Sequence, residues 1–167
     1  MLVYHDYVTG DEIMTDSYKV TEDWDGLVYK IVGKYTTESD ANAVAGIEAN
    51  EEECEVATTT GINCILATRL QETSFEDKKT FKRYFKDYAK AALEKVKEKN
   101  PEKVDAFKKD CQDFMKKVIE HFNDLRFFQG ESFNPDSLVV LVIHEEIDGS
   151  DTPMCYYFKA GLYEEKQ

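Results

Sequence analysis

The 167-residue sequence lacks most of the marks of a catalytic, secreted or membrane-embedded protein. No stretch approaches the roughly 20 consecutive apolar residues of a membrane span. The opening residues, Met1 to Asp6, carry neither the basic nor the long apolar region of a signal peptide, so the expected compartment is the cytosol. Cysteine is scattered: Cys54, Cys64, Cys111 and Cys155 form no C-x-x-C pair, and only His5, His121 and His144 could complete a zinc site. Reduced, partly buried thiols and no zinc are therefore expected. There is no G-x-S-x-G elbow and no G-x-x-x-x-G-K-[ST] phosphate loop. His144-Glu145-Glu146 begins like a zincin motif but has no second histidine one helical turn on. Asp23-Trp24-Asp25-Gly26 opens like a calcium loop, yet its twelfth position is Lys34 where a bidentate Glu is required. No enzymatic chemistry is indicated.

What is present is a globular composition, 42% apolar and 13% aromatic, long enough for one domain spanning 1–167. The formal charge is −13, and it is unevenly spread. From Phe75 to Asp124 there are 14 Lys/Arg against 11 Asp/Glu, whereas the rest of the chain holds 7 against 23. Nucleic acid would be repelled by most of such a surface, but one segment offers the opposite sign.

The N-terminal third reads as short strands, including Leu2-Val3-Tyr4 and the alternating run from Gly26 to Lys34. Thr36 to Ala57 holds seven acids and no Lys or Arg, so a mobile acidic loop is expected over 36–57. Strand character returns from Val56 to Leu70, interrupted at Gly61. Ser74 to Asp77 resembles a capping box, and after it Phe81, Tyr84, Phe85, Tyr88, Ala92 and Val96 form one helical stripe. Asn100-Pro101 closes that helix and opens another, with Asn100 as N-cap, on which Val104, Phe107, Cys111, Phe114, Val118 and Phe122 form a second stripe. A helical hairpin over 75–124 is predicted, each arm roughly 35 Å long. Both stripes are read as core. Leu138 to Ile143 is a continuous apolar run, the mark of a strand covered on both faces, and Met154 to Phe158 can return beside it.

Lys78, Lys79, Lys82, Arg83, Lys86 and Lys90 fall largely off the first stripe. Such a run is often only a wet helix face; beside so acidic a remainder it also suits an acidic protein tail. Carboxylates gather as Glu131 with Asp136, as Asp148 with Asp151 and within the acidic window 36–57, where calcium could bind weakly or the acids could simply be solvated.

Met1 to Asp6 with Asp11-Glu12-Ile13, the block Leu70-Gln71-Glu72-Thr73-Ser74-Phe75, and the stretch Phe127-Phe128-Gln129-Gly130-Glu131-Ser132-Phe133-Asn134-Pro135-Asp136 resemble the translationally controlled tumour protein family. Asp148-Gly149, Thr152-Pro153, Phe158-Lys159 and Gly161-Leu162 continue the likeness in the family's order. The resemblance implies an α+β fold, a twisted mixed β-sheet called a β-tent with a long helical hairpin and a mobile acidic loop. It also implies a cytoplasmic, calcium-binding, tubulin- and microtubule-associated protein of growth and survival. Further implied partners are a small GTPase, translation elongation factors and apoptosis regulators, and some members act outside the cell as histamine-releasing factors without a signal peptide. By the same resemblance Glu12 is the acid associated with the small GTPase Rheb, the hairpin is the tubulin-binding region, and Glu131 lies near the weak calcium site. A monomer is expected in the main, with a dimer through Cys155 left open. One block departs: the family's loop signature reads like G-A-N-P-S-A-E-G, whereas Ala45 to Glu52 here reads A-G-I-E-A-N-E-E.

Overall fold

The computed structural model describes residues 1–24, 26–39 and 58–166. Strands β1 (Leu2–Asp6), β2 (Glu12–Thr15), β3 (Val20–Asp23), β4 (Val28–Val32), β5 (Tyr35–Ser39) and β6 (Thr58–Ile62) come first. A short helix α1 (Asn63–Ala67) and strand β7 (Gln71–Thr73) lead to the hairpin of α2 (Lys78–Lys99) and α3 (Val104–Glu120). Strands β8 (Arg126–Gln129), β9 (Val140–Ile147), β10 (Ser150–Phe158) and β11 (Leu162–Lys166) complete the chain. They form a six-stranded sheet ordered β3-β4-β10-β9-β8-β7, a three-stranded sheet ordered β11-β1-β2, and the β5–β6 ribbon. The α+β class with a helical hairpin stands. Instead of one mixed sheet there are three, and every pairing among the described residues is antiparallel.

The centre of the fold is the β9–β10 hairpin. Asp148 and Gly149 take φ of 51° and 79°, so a two-residue turn reverses the chain with Ile147 paired to Ser150. The tight turn lets β10 begin at Ser150, earlier than the Met154 expected from the apolar run. Leu138 to Ile143 are all buried, as are Met154 to Phe158. One face of β10 meets the helices: Phe158 lies edge-on to Phe85 and Phe107, and Tyr156 edge-on to Phe114. The opposite face carries Cys155 and Tyr157, both 0% exposed, toward α1. Tyr4 packs edge-on against Tyr29, which brings the three-stranded sheet to that same side.

The periodic stripes behave as core. Phe81, Phe85 and Ala92 on α2 and Cys111, Phe114 and Val118 on α3 are buried. The caps differ from the expectation. Asp77, not Ser74, starts α2, its Oδ1 accepting from both Thr80 N–H and Thr80 Oγ1–H at 2.8 Å. Asn100 closes α2 through its N–H to the Val96 carbonyl but makes no side-chain N-cap. Pro101 opens a 3₁₀ turn, Pro101–Lys103, before α3. The arms therefore have 22 and 17 residues, about 33 and 25 Å, so the second is shorter than expected.

Two other expectations change. Thr36 to Ser39, placed in the acidic loop, belong to β5 and pair with β6, while residues 40–57 of that loop lie outside the described residues. Asn63 to Ala67, read as strand, are the helix α1. The Asn63 side chain accepts from its neighbour's N–H, Cys64, and from Lys34 N–H, which turns the chain out of the ribbon. Gly161 is required by close approach, since a Cβ there would overlap the Tyr88 hydroxyl on α2 and stand 2.9 Å from Tyr88 Cζ.

Candidate functional site

Because Phe81, Phe85 and Ala92 face the sheet, the opposite side of α2 must face water. Lys78, Lys79, Lys82, Arg83, Lys86 and Lys90 are all exposed, and none forms an ion pair among the described residues. Lys78, Lys82, Lys86 and Lys90 follow one another at four-residue spacing, a row about 18 Å long on a rigid helix. The positive charge belongs to α2 alone: it carries nine Lys/Arg against three Asp/Glu, whereas α3 carries four of each. Arg83 borders a cleft of about 560 Å³ that Tyr7, Asp87, Tyr88, Lys95 and Asp136 also line.

The far end of α2 is differently employed. Lys95 Nζ stands 3.5 Å from the centre of the Tyr7 ring, and Lys99 Nζ donates to the Tyr7 hydroxyl at 2.9 Å. Partial burial lowers the pKa of Lys95. These two lysines fasten the β1–β2 turn to the helix and are not part of the open row.

Glu12 is exposed at the first residue of β2, which is an edge strand of the small sheet. Its neighbour Asp11, which the sequence did not single out, is held in place. Asp11 Oδ2 accepts from Ser132 N–H at 2.9 Å and Oδ1 from Ser132 Oγ–H at 2.8 Å. Gly130 permits this approach, for a Cβ there would lie 2.7 Å from Asp11 Cβ. Burial alone would raise the Asp11 pKa, but hydrogen bonds from Ser132 and Thr9 outweigh it and leave the carboxyl below its ordinary value. Glu12 thus projects from a turn anchored to the β8–β9 loop.

The four calcium candidates do not converge. Glu131 and Asp136 are exposed on the loop before β9, whereas Asp148 is exposed at the turn after it and Asp151 at the start of β10. Eight strand residues, about 26 Å, separate the two ends. Among the described residues no group of three or more His, Cys, Asp or Glu is placed to hold a metal ion. Glu131, Asp136, Asp148 and Asp151 therefore do not form a preformed calcium cage among the described residues. No helix among the described residues is long and apolar enough to cross a membrane. Cys155 is fully buried in β10.

Comparison with known proteins agrees with the fold. The family description "Translationally controlled tumour protein" matches residues 1–163. A translationally-controlled tumor protein homolog of Drosophila yakuba is 40% identical over 172 residues, covering 99% of both chains. One from Lateolabrax japonicus is 38% identical with the same coverage. Among solved structures, the translationally controlled tumor-associated protein p23fyp of Schizosaccharomyces pombe superposes with a TM-score of 0.80 at 38% identity over 100% of both chains. The Caenorhabditis elegans protein superposes with a TM-score of 0.75 at 28% identity, covering 100% of this chain and 99% of that one.

The Asp11–Ser132 contact generates a prediction with a definite sign. A carboxylate depressed by folding stabilises the anchored loop above its unfolded pKa of about 3.9, and that contribution is lost as pH falls through the lower folded value. At neutral pH, Asp11→Ala should speed hydrogen exchange at the amides of residues 130–133 by roughly three- to tenfold. This is less than the roughly 1.5–3 kcal/mol of hydrogen bonds to a charged acceptor, because both groups touch solvent. In the wild type the same acceleration, relative to intrinsic exchange, should begin only below pH 4. Exchange unaltered by the substitution would remove the anchor.

Proposed function

The chain belongs to the translationally controlled tumour protein family, and from that premise we propose that it is a cytoplasmic interaction protein that docks acidic tails of tubulin on the outer face of α2. The observation that supports this most is the row of exposed cations on a helix whose opposite face is fixed in the core. An acidic peptide laid along the row exchanges weakly held solvent ions for fixed ammonium groups, and the helix loses no conformational freedom in binding it. The role needs no bound cofactor and no catalytic group.

A second reading is regulation of a small GTPase through Glu12. It is favoured by an exposed carboxylate at an edge strand whose preceding residue is anchored, so that the acid is presented in a defined place. Calcium enters either reading only loosely, at pairs of loop carboxylates completed by water. Such open sites belong with affinities of about 10⁻⁴ M or weaker.

Replacing Lys79, Lys82, Lys86 and Lys90 together by Glu should reduce co-sedimentation with microtubules at least tenfold. The thermal midpoint should hardly move, because all four side chains are exposed. Retained co-sedimentation in a folded variant would reject α2 as the docking face. Nucleotide release from a small GTPase should respond to Glu12→Val only if the second reading holds; an unchanged release rate sinks it. Calcium titration by calorimetry should give no constant tighter than about 10⁻⁴ M. A nanomolar constant would mean that a cage is built elsewhere in the chain.

A further inference from the structure

Cys64 and Cys155 come from positions 91 residues apart, yet their Sγ atoms lie 3.6 Å from each other. They are 2% and 0% exposed. The Tyr157 hydroxyl donates to Cys64 Sγ, also at 3.6 Å. A disulfide needs about 2.05 Å between sulfurs, so closure asks for about 1.5 Å of approach. Cys111 cannot compete for either thiol. It faces the sheet from α3, on the helical side, whereas Cys64 and Cys155 meet on the opposite side.

We propose that Cys64 and Cys155 are a reversible two-electron redox site, closed to an intramolecular disulfide by hydroperoxides and reopened by thiols. Cys64 thiolate attacks the distal peroxide oxygen; the O–O bond breaks, and an alcohol or water leaves with the proton of the original thiol. The resulting Cys64 sulfenic acid is attacked by Cys155. The S–S bond forms, the S–O bond breaks, and hydroxide leaves with the Cys155 proton as water. Two thiols lose two electrons in all, and one peroxide gains them.

The surroundings divide the roles in that order. Hydrogen bonds from Cys155 and Tyr157 favour the Cys64 thiolate against the cost of burial, so its pKa is lowered. The Cys64 sulfur next to it, with burial, pushes the Cys155 pKa up, so Cys155 keeps its proton until it attacks. Burial and the Asp110 charge push the Cys111 thiol to about 12, which leaves it unreactive. Peroxide reaches the pair through openings of α1, a five-residue helix whose N-cap residue, Ile62, makes no side-chain hydrogen bond, so the reaction is slow. Once formed, the bond fastens the link between the β5–β6 ribbon and β7 to the central strand of the large sheet. It also closes a long loop, which restricts the unfolded chain.

The test uses the full chain, reduced, incubated with hydrogen peroxide under native conditions, then alkylated, digested and mapped by mass. The expected product is a Cys64–Cys155 cross-link with a loss of 2 Da, reversed by dithiothreitol. The thermal midpoint of the oxidised form should rise by several degrees. Tyr157→Phe should give the same product several-fold more slowly, and Cys155→Ser should leave Cys64 as a sulfenic acid that dimedone traps. Full alkylation of both cysteines after peroxide treatment, or a cross-link through Cys54 or Cys111 instead, would overturn the proposal, whatever the variants do.

Discussion

The aromatic seam between the helical hairpin and the β9–β10 strands decides which way α2 faces, and the candidate site follows from that. Phe81 packs 5.3 Å from Phe127 on β8, and Phe85 meets Phe158 on β10 at 5.7 Å, ring centre to ring centre. Each buried aromatic contributes about 1.5–3 kcal/mol, against less than about 1 kcal/mol for a typical exposed ion pair. Rotating α2 by half a turn to pair its lysines with the acidic sheet would expose Phe81, which is 0% accessible, and Phe85. Burial therefore wins over charge pairing. The lysines are left in water because the phenylalanines cannot be.

Two carboxylates five residues apart show how one turn serves both packing and presentation. Asp6 is 0% exposed, and its oxygens accept from Val8 N–H at 2.8 Å and Leu138 N–H at 2.9 Å. Burial raises its pKa, and the two backbone hydrogen bonds only partly offset that. The contact with Leu138 ties the end of β1 to the residues entering β9. Asp11, nearer the surface, is shifted the other way by Ser132. Between them these acids hold the small sheet to two ends of the same β8–β9 connection. Glu12, with neither partner, is the acid of this turn that remains open to solvent.

The parts of the fold that were legible are those written at short range. The three- and four-residue spacing from Phe81 to Val96, and again from Val104 to Phe122, locates both helices, because the core face of a helix repeats every turn. Leu138 to Ile143 is legible for the same local reason. The basic row was visible as well, since it is the complement of the apolar stripe; its confinement to α2 follows from where the two helices begin and end. Less legible was the choice between neighbouring caps. Ser74 and Asp77 both suit an N-cap, and the Thr80 hydroxyl, which donates to Asp77, decides it. The β5–β6 ribbon was hidden by its threonines and glutamate, residues equally at home in a loop. Contacts such as Asp11 with Ser132, 121 residues away, have no local signature at all. The pairing of Cys64 with Cys155 depends on β10 reaching the middle of the sheet, which spacing in the sequence does not encode.

The distribution of charge finally constrains how an acidic partner can approach. With −13 overall, the protein repels such a partner at long range, although α2 attracts it at contact. At physiological ionic strength fields decay over about 8 Å, well short of the 33 Å length of α2. A tail lying along the outer face of the helix is thus within reach of Lys78, Lys82, Lys86 and Lys90, while charges across the sheet are screened from it. Salt accordingly has two opposed effects, weakening the distant repulsion first and the local attraction only when the screening length falls to contact distances. An extended acidic peptide exploits this arrangement better than a broad acidic surface, which would meet the body's own carboxylates before it reached the helix. On charge alone, then, an extended acidic peptide would meet less repulsion at α2 than a folded acidic face.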